Sequence, residues 1–135
     1  MNSLVLKRTE LDSIDSAKLM NTECEKQQRA EDYEHIDLSQ NKICLIKHDS
    51  FSEFSKLKIL NLSSNQINKL DARLFSGLTM LDELDLSDNL LKQIDRNLFS
   101  DLVNLKKLCL NHNEIELIEN MTFNNLFKLE LLNLS

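Results

Sequence analysis

The chain of 135 residues contains no proline, no tryptophan and a single glycine, Gly77. So few turn formers exclude a meander of tight hairpins, which favour glycine where the turn needs a positive φ. The three cysteines, Cys24, Cys44 and Cys109, are odd in number and form no CxxC pair. That pattern supports neither a zinc site nor a disulfide framework, although a Cys24 to Cys44 bridge stays open. No apolar run approaches the roughly 20 residues of a membrane-spanning helix. The start, MNSLVLKRTELDSI, lacks the apolar core of about 7 to 15 residues that marks a signal peptide, so this segment is expected to insert into no membrane. Sixteen Lys and Arg against 22 Asp and Glu give a net charge of −6, where a nucleic-acid footprint wants a basic stripe. No nucleic-acid partner and no cofactor are expected.

What the chain has is repetition. Residues 57–80, LKILNLSSNQINKLDARLFSGLTM, superimpose on LDELDLSDNLLKQIDRNLFSDLVN at 81–104 and on LKKLCLNHNEIELIENMTFNNLFK at 105–128. The same frame fits YEHIDLSQNKICLIKHDSFSEFSK at 33–56, and a truncated unit, LELLNLS, occupies 129–135. Fixed-period self-similarity of this kind marks an array in which each unit buries its apolar face only against its neighbours.

The residues dictate the local structure. Alternate side chains of a strand share a face, so Leu60 and Leu62 point one way and Asn61 the other, as do Leu84, Leu86 and Asp85 in the next unit. Strands recurring in one direction must pair in parallel, and parallel pairing needs a crossover of about a dozen residues or more. Residues 66–80 are such a crossover. Their apolar positions Ile67, Leu70, Phe75 and Leu78 recur as Leu91, Ile94, Phe99 and Leu102, and again as Ile115, Ile118, Phe123 and Leu126. The column Phe51, Phe75, Phe99 and Phe123 reads as stacked core aromatics, and Tyr33, in the first Leu position of its unit, as core too. Asn41, Asn65, Asn89 and Asn113 stand where each strand turns away. An amide carries both donors and acceptors with which to satisfy backbone groups, so this column is structural.

The template LxxLxLxxNxIxxIxxxxFxxLxx resembles the leucine-rich repeat family, in its typical 24-residue subtype, across residues 33–135. The resemblance implies an α/β repeat solenoid, a horseshoe segment with a parallel β-sheet on its concave face and irregular or short helical crossovers on the convex face. It also implies the usual work of such arrays, which is binding proteins or other macromolecules.

Residues 1–32 read as an atypical first repeat or N-terminal cap. Leu4, Leu6, Leu11 and Ile14 stand where Leu60, Leu62, Ile67 and Leu70 stand later, with Thr9 in place of the Asn. The distance from Leu4 to Ile36 is longer than the repeat, and Ala17, Met20, Cys24 and Gln27, three or four apart, predict an amphipathic helix over 16–30.

Function is expected on the outward strand positions. One column is Glu34, Lys58, Asp82, Lys106 and Glu130, alternating in sign; a second is His35, Ile59, Glu83, Lys107 and Leu131; a third is Asp37, Asn61, Asp85, Cys109 and Asn133. Beyond them lie Gln40, Ser64, Asp88 and His112. The first fourteen of these outward residues, Asn133 aside, form the candidate partner-binding face. Catalysis is not expected, because His35 and His112 fall on strands three apart, at least about 14 Å from one another, and His48 falls in a crossover. Asp82, Glu83, Asp85 and Asp88 form an acidic patch without the Gly and twelfth-position Glu of a calcium loop. Sequons occur at Asn61, Asn120 and Asn133, and only Asn120 lies away from a strand.

These readings predict a non-enzymatic recognition module, part of an extracellular receptor, adhesion or innate-immune protein with a protein partner. The alternative is an intracellular scaffold or regulatory subunit, and a third is a repeat segment attached to an enzyme. Leu129, Leu132 and Leu134 begin a strand that no crossover covers, so further repeats or end-to-end association through 129–135 are expected. Sedimentation of residues 1–135 is expected to show concentration-dependent association; a folded, concentration-independent monomer would refute it.

Overall fold

The computed structural model describes residues 2–15, 19 and 29–135. Among them the dominant element is a parallel sheet of six three-residue strands: β1 (Ser3–Val5), β3 (His35–Asp37), β5 (Ile59–Asn61), β6 (Glu83–Asp85), β8 (Lys107–Cys109) and β10 (Leu131–Asn133), adjacent in that order. The register is the one the repeat dictates. Leu4, Ile36, Leu60, Leu84, Leu108 and Leu132 align as successive Cα partners. All but the last of these are fully buried, as period-two alternation requires of the inward position.

Three residues per strand leave few ladder bonds, and each strand is extended at both ends by shared acceptors. The Glu34 carbonyl accepts the N–H groups of both Lys58 and Ile59, at 2.8 and 3.0 Å, and Lys58, Asp82 and Lys106 repeat the arrangement one unit on. At the other end the asparagine column takes over. Asn89 Nδ2 donates to the carbonyls of Leu62, Leu86 and Ser87 at 3.0–3.2 Å, while its Oδ1 accepts the Ile67 N–H at 3.0 Å. Asn65 and Asn113 do the same between their own neighbours. In the first unit, where Thr9 stands in place of the Asn, Asn41 Oδ1 accepts from both the Thr9 N–H and its hydroxyl. The residue before each Asn has a left-handed backbone: Gln40, Ser64, Asp88 and His112 lie at φ 53–57°. In a chain with one glycine, polar residues occupy this disfavoured region, held there by the amide bonds on either side.

The convex side is built from turns and from two short parallel ladders, β2 (Ser13–Ile14) with β4 (Leu45–Ile46) and β7 (Gln93–Ile94) with β9 (Leu117–Ile118). These pairs are not anticipated by periodicity. Helix is scarce, the described part being Leu19 and a single 3-10 turn, Ala30–Asp32. The helix predicted over 16–30 falls almost wholly outside the described residues.

Phe51, Phe75, Phe99 and Phe123 form a continuous stack with ring centroids 6.1–6.4 Å apart and planes within 10–21°. Tyr33 and Phe54 extend it, 6.2 Å apart. Neighbouring strands are only about 4.8 Å apart, so each unit is wider at its phenylalanine than at its strand. A stack of such wedges curves, with the sheet on the inner, concave side. Leu74 and Leu98, in the position before the Phe, are also core; the pattern hides them because Ser50 and Thr122 fill that column elsewhere. Those two hydroxyls stay buried by donating to carbonyls, Ser50 to Ile14 at 3.1 Å and Thr122 to Glu119 at 2.6 Å. Burial weakens toward the last unit, where Leu132 is 38% exposed while its partner Leu108 is 0%.

Because the rings and amides each bridge two units, their loss is expected to be felt globally. Phe99→Ala is expected to cost about 3–5 kcal/mol and Asn89→Ala about 1–3 kcal/mol, by orphaning the Ile67 N–H and taking one of the two bonds from each of the Leu62, Leu86 and Ser87 carbonyls. Denaturant melts check both, and a variant within error of the parent would refute its column.

Candidate functional site

The outward residues of the sheet do not all do the same work. In the first column the alternating charges close into two separate pairs among the described residues, Lys58 with Glu34 at 2.9 Å and Lys106 with Asp82 at 3.1 Å. The Lys58 ammonium donates to Glu34 and holds its carboxyl below the usual range. The continuous ladder that alternation suggests does not form, since each lysine reaches toward the preceding unit only.

The third column carries a second task that sequence reasoning misses. Asp37, Asn61, Asp85 and Asn133 each accept, at 2.9–3.2 Å, the N–H of the residue two positions on, Ser39, Ser63, Ser87 and Ser135. These side chains brace the turn that ends each strand. Asp85 also accepts from the Ser87 hydroxyl at 2.6 Å. The recurring Asx-x-Ser spacing was the available signal. Cys109 breaks the column, with Asn111 in the serine position. Asp37 departs furthest from the contact role: it is only 6% exposed and Lys7, from the first unit, closes over it at 2.9 Å.

The second column is the freest. His35, Ile59, Glu83, Lys107 and Leu131 are half-buried or exposed, and the one ion pair among them, Lys107 to Glu83, is long at 3.8 Å. Between β3 and β8 the sheet carries a depression of about 170 Å³ lined by His35, Ile59, Asn61, Glu83, Asp85, Lys107 and Cys109. Seven of the fourteen predicted contact residues therefore converge on one place. Glu34, Lys58, Asp82 and Lys106 stand along the strand entrances as pairs, and Glu130 and Leu131 lie beyond, on the last unit.

Burial pushes the Cys109 thiol up, and the Asp85 carboxylate beside it adds to the shift, the opposite of an activated nucleophile. Among the described residues no three His, Cys, Asp or Glu side chains group as metal ligands. Cys44 is an exposed free thiol on the convex side, and the partner considered for it, Cys24, lies outside the described residues.

A parallel solenoid with invariant inner columns and a chemically varied inner face defines a repeat-built binding module. The leucine rich repeat family model matches residues 34–91 and 80–135, and the chain belongs to that family. No curated protein matches it. Among solved structures it is similar to a chain of the crystal structure of a TLR13-ssRNA13 complex, with a TM-score of 0.69 and 24% identity over 98% of this chain and 21% of that one. The chain thus spans about a fifth of that relative, and the likeness is one of fold. No helix among the described residues is long and apolar enough to cross a membrane.

The Asp37 pair makes a prediction in acid. Burial raises its pKa, but hydrogen bonds from Lys7 and Ser39 and the Lys7 charge outweigh that, so the net shift is downward. A carboxylate whose folded pKa is depressed contributes stability that is complete above its unfolded value and fades as pH falls through the folded one. Asp37→Asn is therefore expected to lower stability at neutral pH and to flatten the loss of stability below the ordinary aspartate range. Urea melts across that range check it; parallel pH profiles for parent and variant would refute it.

Proposed function

We propose that the chain is a non-enzymatic protein–protein recognition module that binds its partner on the concave sheet, as part of an extracellular receptor, adhesion or innate-immune protein. The observation that carries this reading is the depression over β3, β5, β6 and β8, where histidine, isoleucine, two acids, a lysine and a thiol stand on a rigid sheet. Core columns are nearly the same from unit to unit, whereas this surface changes at every step, from Ile59 to Glu83 to Lys107. Individual contacts need that variety. The TLR13 chain is named with a single-stranded RNA, but here, once the pairs of Lys7, Lys58, Lys106 and Lys107 are set aside, the charges left on the sheet are the acids Asp85, Asp88 and Glu130, with Asp88 beside His112 at 3.0 Å. A phosphate backbone would be repelled there, and a protein surface with basic side chains is attracted. Residues 1–32 act as an atypical first repeat or N-terminal cap. The alternative, an intracellular scaffold, is favoured by the exposed free thiol of Cys44, which suits a reducing compartment.

Asp85 and Asp95 brace local turns, so charge reversal at either would mix folding with binding. Glu83, exposed and loosely paired, is the cleaner probe. With a partner identified by crosslinking from the full protein, Glu83→Lys is expected to weaken binding about tenfold, mainly through association rate. Glu53→Lys, the same charge change at an exposed crossover position, is expected to leave binding unchanged. Surface plasmon resonance on variants with parental circular dichroism decides the matter, and equal affinities would overturn the concave site.

A further inference from the structure

The three sequons fall on two surfaces. Asn61 and Asn133 belong to β5 and β10 and their side-chain oxygens brace the turns at Ser63 and Ser135. Asn61 also lines the concave depression, between its strand partners Asp37 and Asp85. With strands about 4.8 Å away on either side, a sugar on Asn61 would be wedged between those two side chains and would cover the face proposed for binding. Asn120 is different. It is exposed, just past β9, in a turn whose next residue, Met121, has φ 69°.

Beside Asn120 opens a shallow groove of about 280 Å³ lined by Arg96, Leu117, Ile118, Glu119 and Asn120 itself. Two apolar side chains stand exposed there, beside the polar Arg96, Glu119 and Asn120. Leu117 is 53% and Met121 72% exposed. The exposure of Leu117 belongs to its column and not to its place in the array, because Leu45, at the equivalent position three units earlier, is 58% exposed. At Lys69 and Gln93, in the units between, the column is polar. Leu117 therefore differs from its immediate neighbours in lacking a polar cover of its own.

We propose that Asn120 is the N-glycan acceptor of this chain and that its sugar lies over the groove, shielding Leu117 and Met121 on the side away from the binding face. This rests on the extracellular reading above. In the transfer, Asn120 Nδ2 loses a proton to a base on the transferase and bonds to C1 of a lipid-pyrophosphate-linked oligosaccharide, while the bond from C1 to the phosphate oxygen breaks and the lipid pyrophosphate leaves. In the folded chain the Thr122 hydroxyl is buried and donates to the Glu119 carbonyl at 2.6 Å. The sequon's hydroxyl is thus withdrawn once this turn closes, which places the transfer on the emerging chain.

The test routes the full chain into the secretory lumen behind an added cleavable leader and maps each formerly glycosylated asparagine by amidase release in heavy-oxygen water. Asn120 occupied on most secreted molecules, with Asn61 bare, is the expected result; a bare Asn120, or a secreted folded chain carrying its sugar on Asn61 instead, overturns the proposal. Asn120→Gln is expected to reduce soluble secreted monomer several-fold by size-exclusion chromatography, and the double variant Asn120→Gln, Leu117→Lys to recover it. Failure to recover removes the shielding role. The extracellular reading is judged separately, by fractionating cells that make the protein without the added leader. A cytosolic protein whose routed form is modified at Asn120 discards that reading and keeps the site, whereas a naturally secreted protein with Asn120 bare does the reverse.

Discussion

Every strand of the six-stranded sheet is three residues long, and a sheet of such strands cannot hold its own edges. What closes the account is the asparagine column. Each amide bonds across a unit boundary as well as within its own unit, so Asn65 ties Leu38 and Ile43 to Leu62, and Asn89 ties Leu62 and Ile67 to Leu86. A backbone leaving a strand into a buried turn would otherwise carry unpaired donors and acceptors, each costing about 1–3 kcal/mol. The same bonds fix the left-handed residue before each Asn, and so replace the glycines that the chain lacks.

Once the turns are fixed, the width of the units sets the shape. Phenylalanine rings stacked 6.1–6.4 Å apart on one side and strands about 4.8 Å apart on the other make a wedge of every repeat. Curvature brings the outward residues of neighbouring strands toward a common centre, which is why His35, Glu83 and Lys107, on three different strands, line one depression. The inner columns vary little because each side chain touches its copies above and below. Outward residues touch copies less, and their chemistry is released from the demands of the core.

The release is incomplete. The first column spends its charges on neighbouring units, and the third spends its side-chain oxygens on turns. Lys7 closes over Asp37 and takes that acid out of the face altogether. Only the second column, with the thiol of Cys109 where the brace is missing, is unencumbered. The convex side shows the converse economy. Its crossovers need only cover the phenylalanine stack, so residues such as Leu45 and Leu117 can stand exposed without disturbing the core.

The sequence by itself determined the repeat, the parallel register, both structural columns and the face on which variety lies, because each of these follows from period and alternation, and those are properties of the string. Leu74 and Leu98 escaped it because the column they share holds Ser50 and Thr122, and a column half polar does not read as core until its hydroxyls are seen donating to carbonyls. The convex ladders escaped it too, being two residues long. The division of labour among outward residues was decided only by the tertiary structure. Whether Asp85 braces a turn and Asp37 lies under a lysine depends on distances across unit boundaries, and a pattern of residue types records adjacency along the chain but not reach between neighbours in space.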